Sequence, residues 1–193
     1  MREEWYTYLR IMIINIFVGA CFFLFGIAYA SFAEWMLHRY WMHRPFWIFG
    51  WYKFDYPFKA HAIVHHGKFK ADETYHLQNR PEETKKADRK TIPMAWWNGP
   101  VLIAMASLPF VLWSIFNPSW LLVGCVAGAV ACYYGTYEYI HFCMHLPKGR
   151  WFENTRLYKW IDEHHRLHHE HMGNNFNVVL PLADFCLRTL ITK

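Results

Sequence analysis

Histidine is the residue type through which this chain can do chemistry. It carries 13 histidines in 193 residues, and all but His76 fall into four clusters. These read HRYWMH (His38, His43), HAIVHH (His61, His65, His66), HFCMH (His141, His145) and HHRLHHEH (His164, His165, His168, His169, His171). Neutral imidazole is the commonest metal ligand, and spacings of three to five residues return side chains to neighbouring parts of one helical face. About ten such nitrogens exceed the four to six ligands of one metal and suit two. The clusters therefore predict a polynuclear, all-histidine metal site.

The spacings carry more detail. On a helix, His165, His168 and His169 cover one narrow face and converge on one or two metals. His141 and His145 stand at i, i+4, as do His61 and His65, with His66 turned about 100° away and free to serve a second metal. His38 and His43 are five apart and diverge on a regular α-helix. The five cysteines (Cys21, Cys125, Cys132, Cys143, Cys186) form no CxxC pair, which argues against a structural zinc or iron–sulfur site. The repeated Glu-x-x-His pairs of soluble di-iron oxygenases are not seen. A neutral all-imidazole shell leaves metal charge uncompensated, which suits an oxidising centre, whereas hydrolysis at zinc does not need so many ligands.

Apolar residues make up 54% of the chain and aromatics 20%, yet mean hydropathy is close to zero. Long apolar runs must alternate with polar stretches, as in a membrane protein with large interfacial parts. Residues 9–37 are long enough to span a bilayer. The small-residue triplet Ala28-Tyr29-Ala30 resembles a leader cleavage site, but Glu3 and Glu4 spoil a basic start, so an anchor helix is expected. Residues 44–60 mix Trp, Phe, Tyr and Lys and read as an interfacial segment. Residues 67–92 read as a solvated surface with no assigned function, and His76 as an interfacial anchor. Residues 94–116 and 119–139 form a transmembrane hairpin about Asn117-Pro118-Ser119, and 141–193 are too polar to span.

The expected architecture is thus all-α: a single domain, 1–193, with about three transmembrane crossings, interfacial helices and a histidine-rich metal-binding cap. One crossing followed by a hairpin puts all four clusters on one side. That side holds every Lys and Arg except Arg2 and Arg10, so it should be cytoplasmic. The net charge of +5 fits an anionic membrane surface, since no nucleic-acid reader motif is present.

The order His-x4-His, His-x3-His-His, His-x3-His, His-x2-His-His, with a hairpin between the second and third boxes, resembles the fatty acid hydroxylase/sterol desaturase superfamily. The resemblance covers roughly Glu34 to Leu190. It is sharpest in EWMLHRYWMH, in the HH-x-x-F-x-x-D-E-T-Y run at His65–Tyr75, in YEYIHFCMH and in HHRLHHEHMGNNFNVVLPLADF. The last segment is most like the fatty acid hydroxylases, although Asn177 stands where their Asn-Phe-Gly-Val-like turn has glycine. The second box is also one residue longer than usual.

This resemblance implies a membrane oxygenase with two iron ions and dioxygen as co-substrate, which hydroxylates or desaturates an unactivated C–H bond of a lipid. Zinc is expected to replace iron on overproduction. By motif match the ligands are His38, His43, His61, His65, His66, His141, His145, His165, His168 and His169, with His164 as the substitute if the last box is read one residue earlier. The lipid arrives from the bilayer, past Trp47, Trp51 and Tyr52. Electrons come from a separate donor of ferredoxin or cytochrome b5 type, steered by Lys85, Lys86, Arg89, Lys90, Arg150 and Arg156. A bacterial inner membrane is favoured over an endoplasmic reticulum. The competing readings are a carotenoid ring hydroxylase and, in another class, a membrane metal-binding or transport protein.

Overall fold

The computed structural model describes residues 2–48 and 50–192, with the backbone alone at Arg2, Ile48 and Tyr52. The N-terminal apolar run forms one uninterrupted helix, α1 (Arg2–Leu37). It begins earlier than hydropathy indicates, because Glu3 and Glu4 in its first turn suit the positive end of the helix dipole. Its 36 residues extend about 54 Å at 1.5 Å per residue, well beyond an apolar bilayer core of about 30 Å. A π-helical turn, His38–Met42, follows directly.

Residues 44–60, the expected interfacial segment, open with a short hairpin. Strands β1 (Phe46–Ile48) and β2 (Tyr52–Phe54) pair antiparallel, with Phe46 opposite Phe54 and Trp47 opposite Lys53. The physical reason is local: Phe, Trp, Ile and Tyr favour extended backbone, and Gly50 supplies the φ of +75° that the turn uses. Trp47 and Trp51 are exposed, whereas the Tyr52 side chain lies outside the described residues. Single α-turns, α2 (Tyr56–Phe58) and α3 (His66–Lys68), then flank a second π-helix, Lys59–His65.

Residues 67–92 are more than a solvated surface. They bury Phe69, Tyr75, Leu77 and Ile92, and they hold the buried Asp88 between Lys68 (2.9 Å) and Arg80 (3.1 Å). The outer face of α4 (Glu82–Arg89) matches the expectation, with Glu82, Glu83, Lys86 and Arg89 exposed, as do Lys70, Asp72, Glu73, Gln78 and Asn79 before it.

Helices α5 (Asn98–Phe116) and α6 (Trp120–His145) follow, with residues 117–119 between them and Gly99 of α5 lying against Tyr134 of α6. Helix α5 starts after Pro93, and Pro100 sits in its first turn, where its missing N–H has no intrahelical partner to lose. Pro109 remains inside α5. Helix α6 runs through His141 and His145 without a break. Helix α7 (Arg156–Glu170) begins where the Thr155 hydroxyl accepts from the Tyr158 amide at 3.2 Å, and a short α8 (Leu182–Cys186) precedes the C-terminus. Among the described residues, three helices are long and apolar enough to cross a membrane: Glu3–Met42, Asn98–Phe116 and Trp120–His145.

The chain divides into two compact units. The first holds residues 1–30 and 96–134. There α1 meets α6 so closely that a Cβ on Gly26 would lie 2.6 Å from Ala129 Cβ, so only glycine fits. Phe25 and Tyr29 pack edge-on to Phe110 of α5, and the Tyr29 hydroxyl donates to the Ala106 carbonyl at 3.2 Å. The second unit holds residues 31–95 and 135–193 and contains every candidate ligand. Its apolar packing surrounds the histidines: Tyr75, Tyr137, Cys143, Met144, Tyr158 and Val178 form one cluster, Phe69, Leu77 and Ile92 a second, and Trp35, Phe176 and Ala183 a third.

Candidate metal centre

The two π-helical turns explain the first two boxes. A π-turn bonds residue i to i+5, so residues five apart share a face that an α-helix would split. The His43 amide donates to the His38 carbonyl at 3.1 Å, and the His66 amide donates to the His61 carbonyl. The rings of His38 and His43 come to 5.0 Å and those of His61 and His66 to 4.7 Å, centroid to centroid. This corrects the expected pairing in the second box: His61 shares a site with His66, and His65 turns to the other.

All ten candidate ligands assemble, five and five. Site A comprises His38, His43, His61, His66 and His168; site B comprises His65, His141, His145, His165 and His169. Within each, the ligand atoms lie within 4.8 Å of one another. The last box is therefore shared: His165 and His169, four apart on α7, serve site B, and His168 serves site A. The two sites abut, with His66 stacked on His169 at 4.1 Å between ring centroids. His164 belongs to neither quintet, since its Nε2 lies 3.3 Å from Asp184 Oδ2. His171 is exposed, and His76 sits half-buried against Tyr75.

The proton positions show why a cation fits. The Nδ1 atoms of His145, His168 and His65 donate to the carbonyls of Tyr75 (2.9 Å), Asn174 (2.7 Å) and Thr91 (3.2 Å). Those of His38 and His169 donate to the Phe176 and Phe69 carbonyls. A carbonyl only accepts, so each of these rings carries its proton on Nδ1 and presents a bare lone pair at Nε2. Those lone pairs converge. In site A, Nε2 of His38 is 2.8 Å from that of His61, which is 3.0 Å from that of His66, and His43 and His168 meet at 3.0 Å. In site B the separations are 3.2 Å for His65–His141, 3.4 Å for His145–His165 and 3.1 Å for His165–His169.

In site B, His165 faces two bare nitrogens, His145 and His169, and its one Nε2 proton can serve only one of them. Adjacent ligands about 2.1 Å from a metal lie about 3.0–3.4 Å apart for bond angles of about 90–110°. All the observed spacings but the 2.8 Å of His38–His61 fall in that range, so each group could hold a cation. Five imidazoles would leave room for one further ligand on a six-coordinate ion.

Burial prepares these groups to bind. Desolvation, then repulsion from His168 and His65, pushes the His43 imidazolium down to about 3. Desolvation takes His168 down to about 4 against the opposing bond to Asn174. His61, His65, His66, His165 and His169 are held well below the ordinary value for the same leading cause. All are neutral near pH 7, as metal ligation requires.

Several residues that orient the ligands carried no signal in the box pattern. Asp184 is fully buried and accepts from the amides of Phe176 (3.0 Å) and Asn177 (2.7 Å), from Thr189 Oγ1 (2.6 Å) and from His164. Burial alone would raise its pKa, but these hydrogen bonds outweigh that and hold the carboxylate below its ordinary range. Glu34 accepts from the Val178 amide at 2.7 Å and from Asn177 Nδ2 at 2.9 Å. Together they fix the loop whose Asn174 and Phe176 carbonyls orient His168 and His38. Asn177 uses its side chain on Asp184, Ser31 and Glu34, contacts that glycine at that position would lack. Glu138 does stand three residues before His141, as in a Glu-x-x-His pair, but its carboxylate accepts from the Met94 amide at 3.2 Å and lies outside both quintets.

No family model, curated protein or solved structure matches the chain. What the chain shows of its own chemistry is therefore two buried groups of histidines able to hold metal ions, in a mostly helical protein with three helices fit to cross a membrane.

Proposed function

We propose that this protein is a membrane di-iron oxygenase of the fatty acid hydroxylase/sterol desaturase type. It inserts a hydroxyl group into, or desaturates, an unactivated C–H bond of a lipid, with a fatty acyl chain as the leading substrate class. The observation that carries this reading is the pair of adjoining five-imidazole sites, each one ligand short of six. Two iron ions, bound one per site, would supply the activation of dioxygen with electrons from outside the chain.

The chain's own contribution is to hold and shield. The backbone carbonyls fix five of the ten imidazoles in the tautomer that presents Nε2, and such outer partners control both orientation and ligand basicity. No carboxylate enters either quintet, so the sites add no negative charge to offset the metals. Phe69, Tyr75 and Phe176, all buried against ligand rings, keep water from the reacting volume. The lipid comes from the bilayer that the three apolar helices cross. The charge bias supports a cytoplasmic side for the histidines, with a bacterial inner membrane as the favoured setting. A ferredoxin- or cytochrome b5-type donor docks on the exposed cations Lys86, Arg89, Lys90 and Arg156. Of the remaining two cations of that set, Lys85 pairs with Glu82 and Arg150 with Glu153.

The test is to load the full chain with iron in nanodiscs, add a reductant and ¹⁸O-labelled dioxygen, and analyse lipids by mass spectrometry. The proposal expects a labelled hydroxyl or a new double bond in an acyl lipid, absent in His61→Ala. A labelled carotenoid would move the reading to the runner-up. Iron-loaded, reducible protein that modifies no lipid class would overturn it.

A further inference from the structure

One buried phenol in the second unit is tied both to site B and to a proton acceptor. Tyr75 is 2% exposed. Its ring centroid lies 4.7 Å from that of His145 and 5.4 Å from that of His169, and its carbonyl takes the His145 Nδ1 proton at 2.9 Å. With His165 at 6.3 Å, three of the five site B rings therefore lie against the phenol ring, and one of them is also held by its backbone. The hydroxyl points the other way and donates to Asp162 Oδ1 at 3.1 Å. Asp162 is half-buried on α7, so its carboxyl can exchange protons with solvent.

We propose that Tyr75 is a redox relay that exchanges one electron with the site B metal while passing its phenolic proton to Asp162. The inference rests on the di-iron reading above. The oxidant is the iron pair after oxidation by dioxygen. Tyr75 loses one electron to it through the ring contact with His145, and the Oη–H bond breaks as the proton moves to Asp162 Oδ1. The result is a neutral phenoxyl radical, a carboxylic acid and a metal centre reduced by one electron. The external one-electron donor then restores the phenol, and Asp162 returns the proton.

Chemistry favours this pair over its neighbours. An oxidised phenol is a strong acid, so it forms readily only where a base takes the proton in the same step. Burial, opposed by the Tyr75 hydrogen bond, raises the Asp162 carboxyl to about 6, so near pH 7 it is mostly ionised, and the proton it takes is readily returned. Tyr158 provides the internal contrast. It is buried in the same apolar cluster, but its hydroxyl has no hydrogen-bond partner among the described residues.

The test uses the full chain, iron-loaded and reduced without lipid substrate, exposed to dioxygen, freeze-quenched and read by electron paramagnetic resonance. Iron content and conversion of ferrous to ferric iron are measured on the same samples. The expected result is a tyrosyl radical, identified by ring-deuterated tyrosine, in wild type and in Tyr158→Phe. It should fall to background in Tyr75→Phe and weaken in Asp162→Asn, with iron content unchanged in both. An equal radical in Tyr75→Phe would overturn the proposal. So would no radical in wild type whose iron binds and oxidises normally. Failure to bind iron at all would remove the oxygenase reading and the relay with it.

Discussion

Site A and site B offer the same ligand chemistry on different supports. In site B all five imidazoles are buried, and three are anchored by carbonyls from separate places, Phe69, Tyr75 and Thr91. Four of its ligands stand at α-helical spacing on α6 and α7. In site A both anchoring carbonyls, Asn174 and Phe176, come from one loop hung on Asp184. His43 is only half-buried, and four of its five ligands stand in or immediately after the two π-helical turns. Regular helices make site B stiff by default, whereas site A is held by special turns and one buried carboxylate. Equal donor sets thus stand on unequal supports, and on the di-metal reading proposed above site A is expected to give up or adjust a metal more readily than site B.

The sharpest way to break this comparison is to remove ligands pairwise. His61→Ala/His66→Ala should lose the site A metal and keep the other, whereas His165→Ala/His169→Ala should lose the site B metal and lower the thermal midpoint further. Elemental analysis with thermal unfolding reads both, and loss of both metals in each variant would show that the sites are not separable. Next in size, Asp184→Ala should weaken site A by about 10–100-fold in metal affinity and leave site B unchanged, as measured by competition with a chelator. Equal weakening of both sites would deny the loop its selective role.

A third effect appears on acidification of the metal-free protein. His43, held at about 3, and His168, at about 4, both lie below the ordinary histidine value near 6.5. Between those values the unfolded chain binds more protons than the folded one, so the stability these two groups contribute falls as pH drops through 6.5 towards 3. Thermal midpoints measured across that window should decline when the metals are absent. A flat profile would mean that these imidazoles are not buried neutral. The smallest effect is at the surface: reversing Lys86, Arg89 and Lys90 together should slow donor-supported turnover several-fold at low salt, with both metals retained. Turnover unchanged at low salt would remove that face as the docking site.

Much of this was legible from residue types alone. The ten candidate ligands stand out because imidazoles at such short spacing are rare, and the three long apolar helices because their runs reach the length that a bilayer would require. The partition into two sites was not legible. It depends on π-turns at His38–Met42 and Lys59–His65, and an i+5 spacing only becomes a pair once the backbone has widened. The hairpin at Phe46–Phe54 was hidden because Trp, Tyr and Phe serve interfacial helices and strands alike. Likewise, nothing in the spacing marked residues 67–92 as the source of three ligand-orienting carbonyls, because any residue type can supply a backbone oxygen. Asp184 was visible only as part of a motif, Pro-Leu-x-Asp, without a role until its four hydrogen bonds could be counted.

The most direct test of the central claim is X-ray absorption at the metal edge of wild-type protein loaded with two equivalents of iron. Two five-imidazole sites predict a first shell of nitrogen near 2.1 Å, with the outer-shell scattering of about five imidazole rings per metal and no sulfur. A shell dominated by carboxylate or water oxygen, or one with only one or two imidazoles per metal, would contradict it.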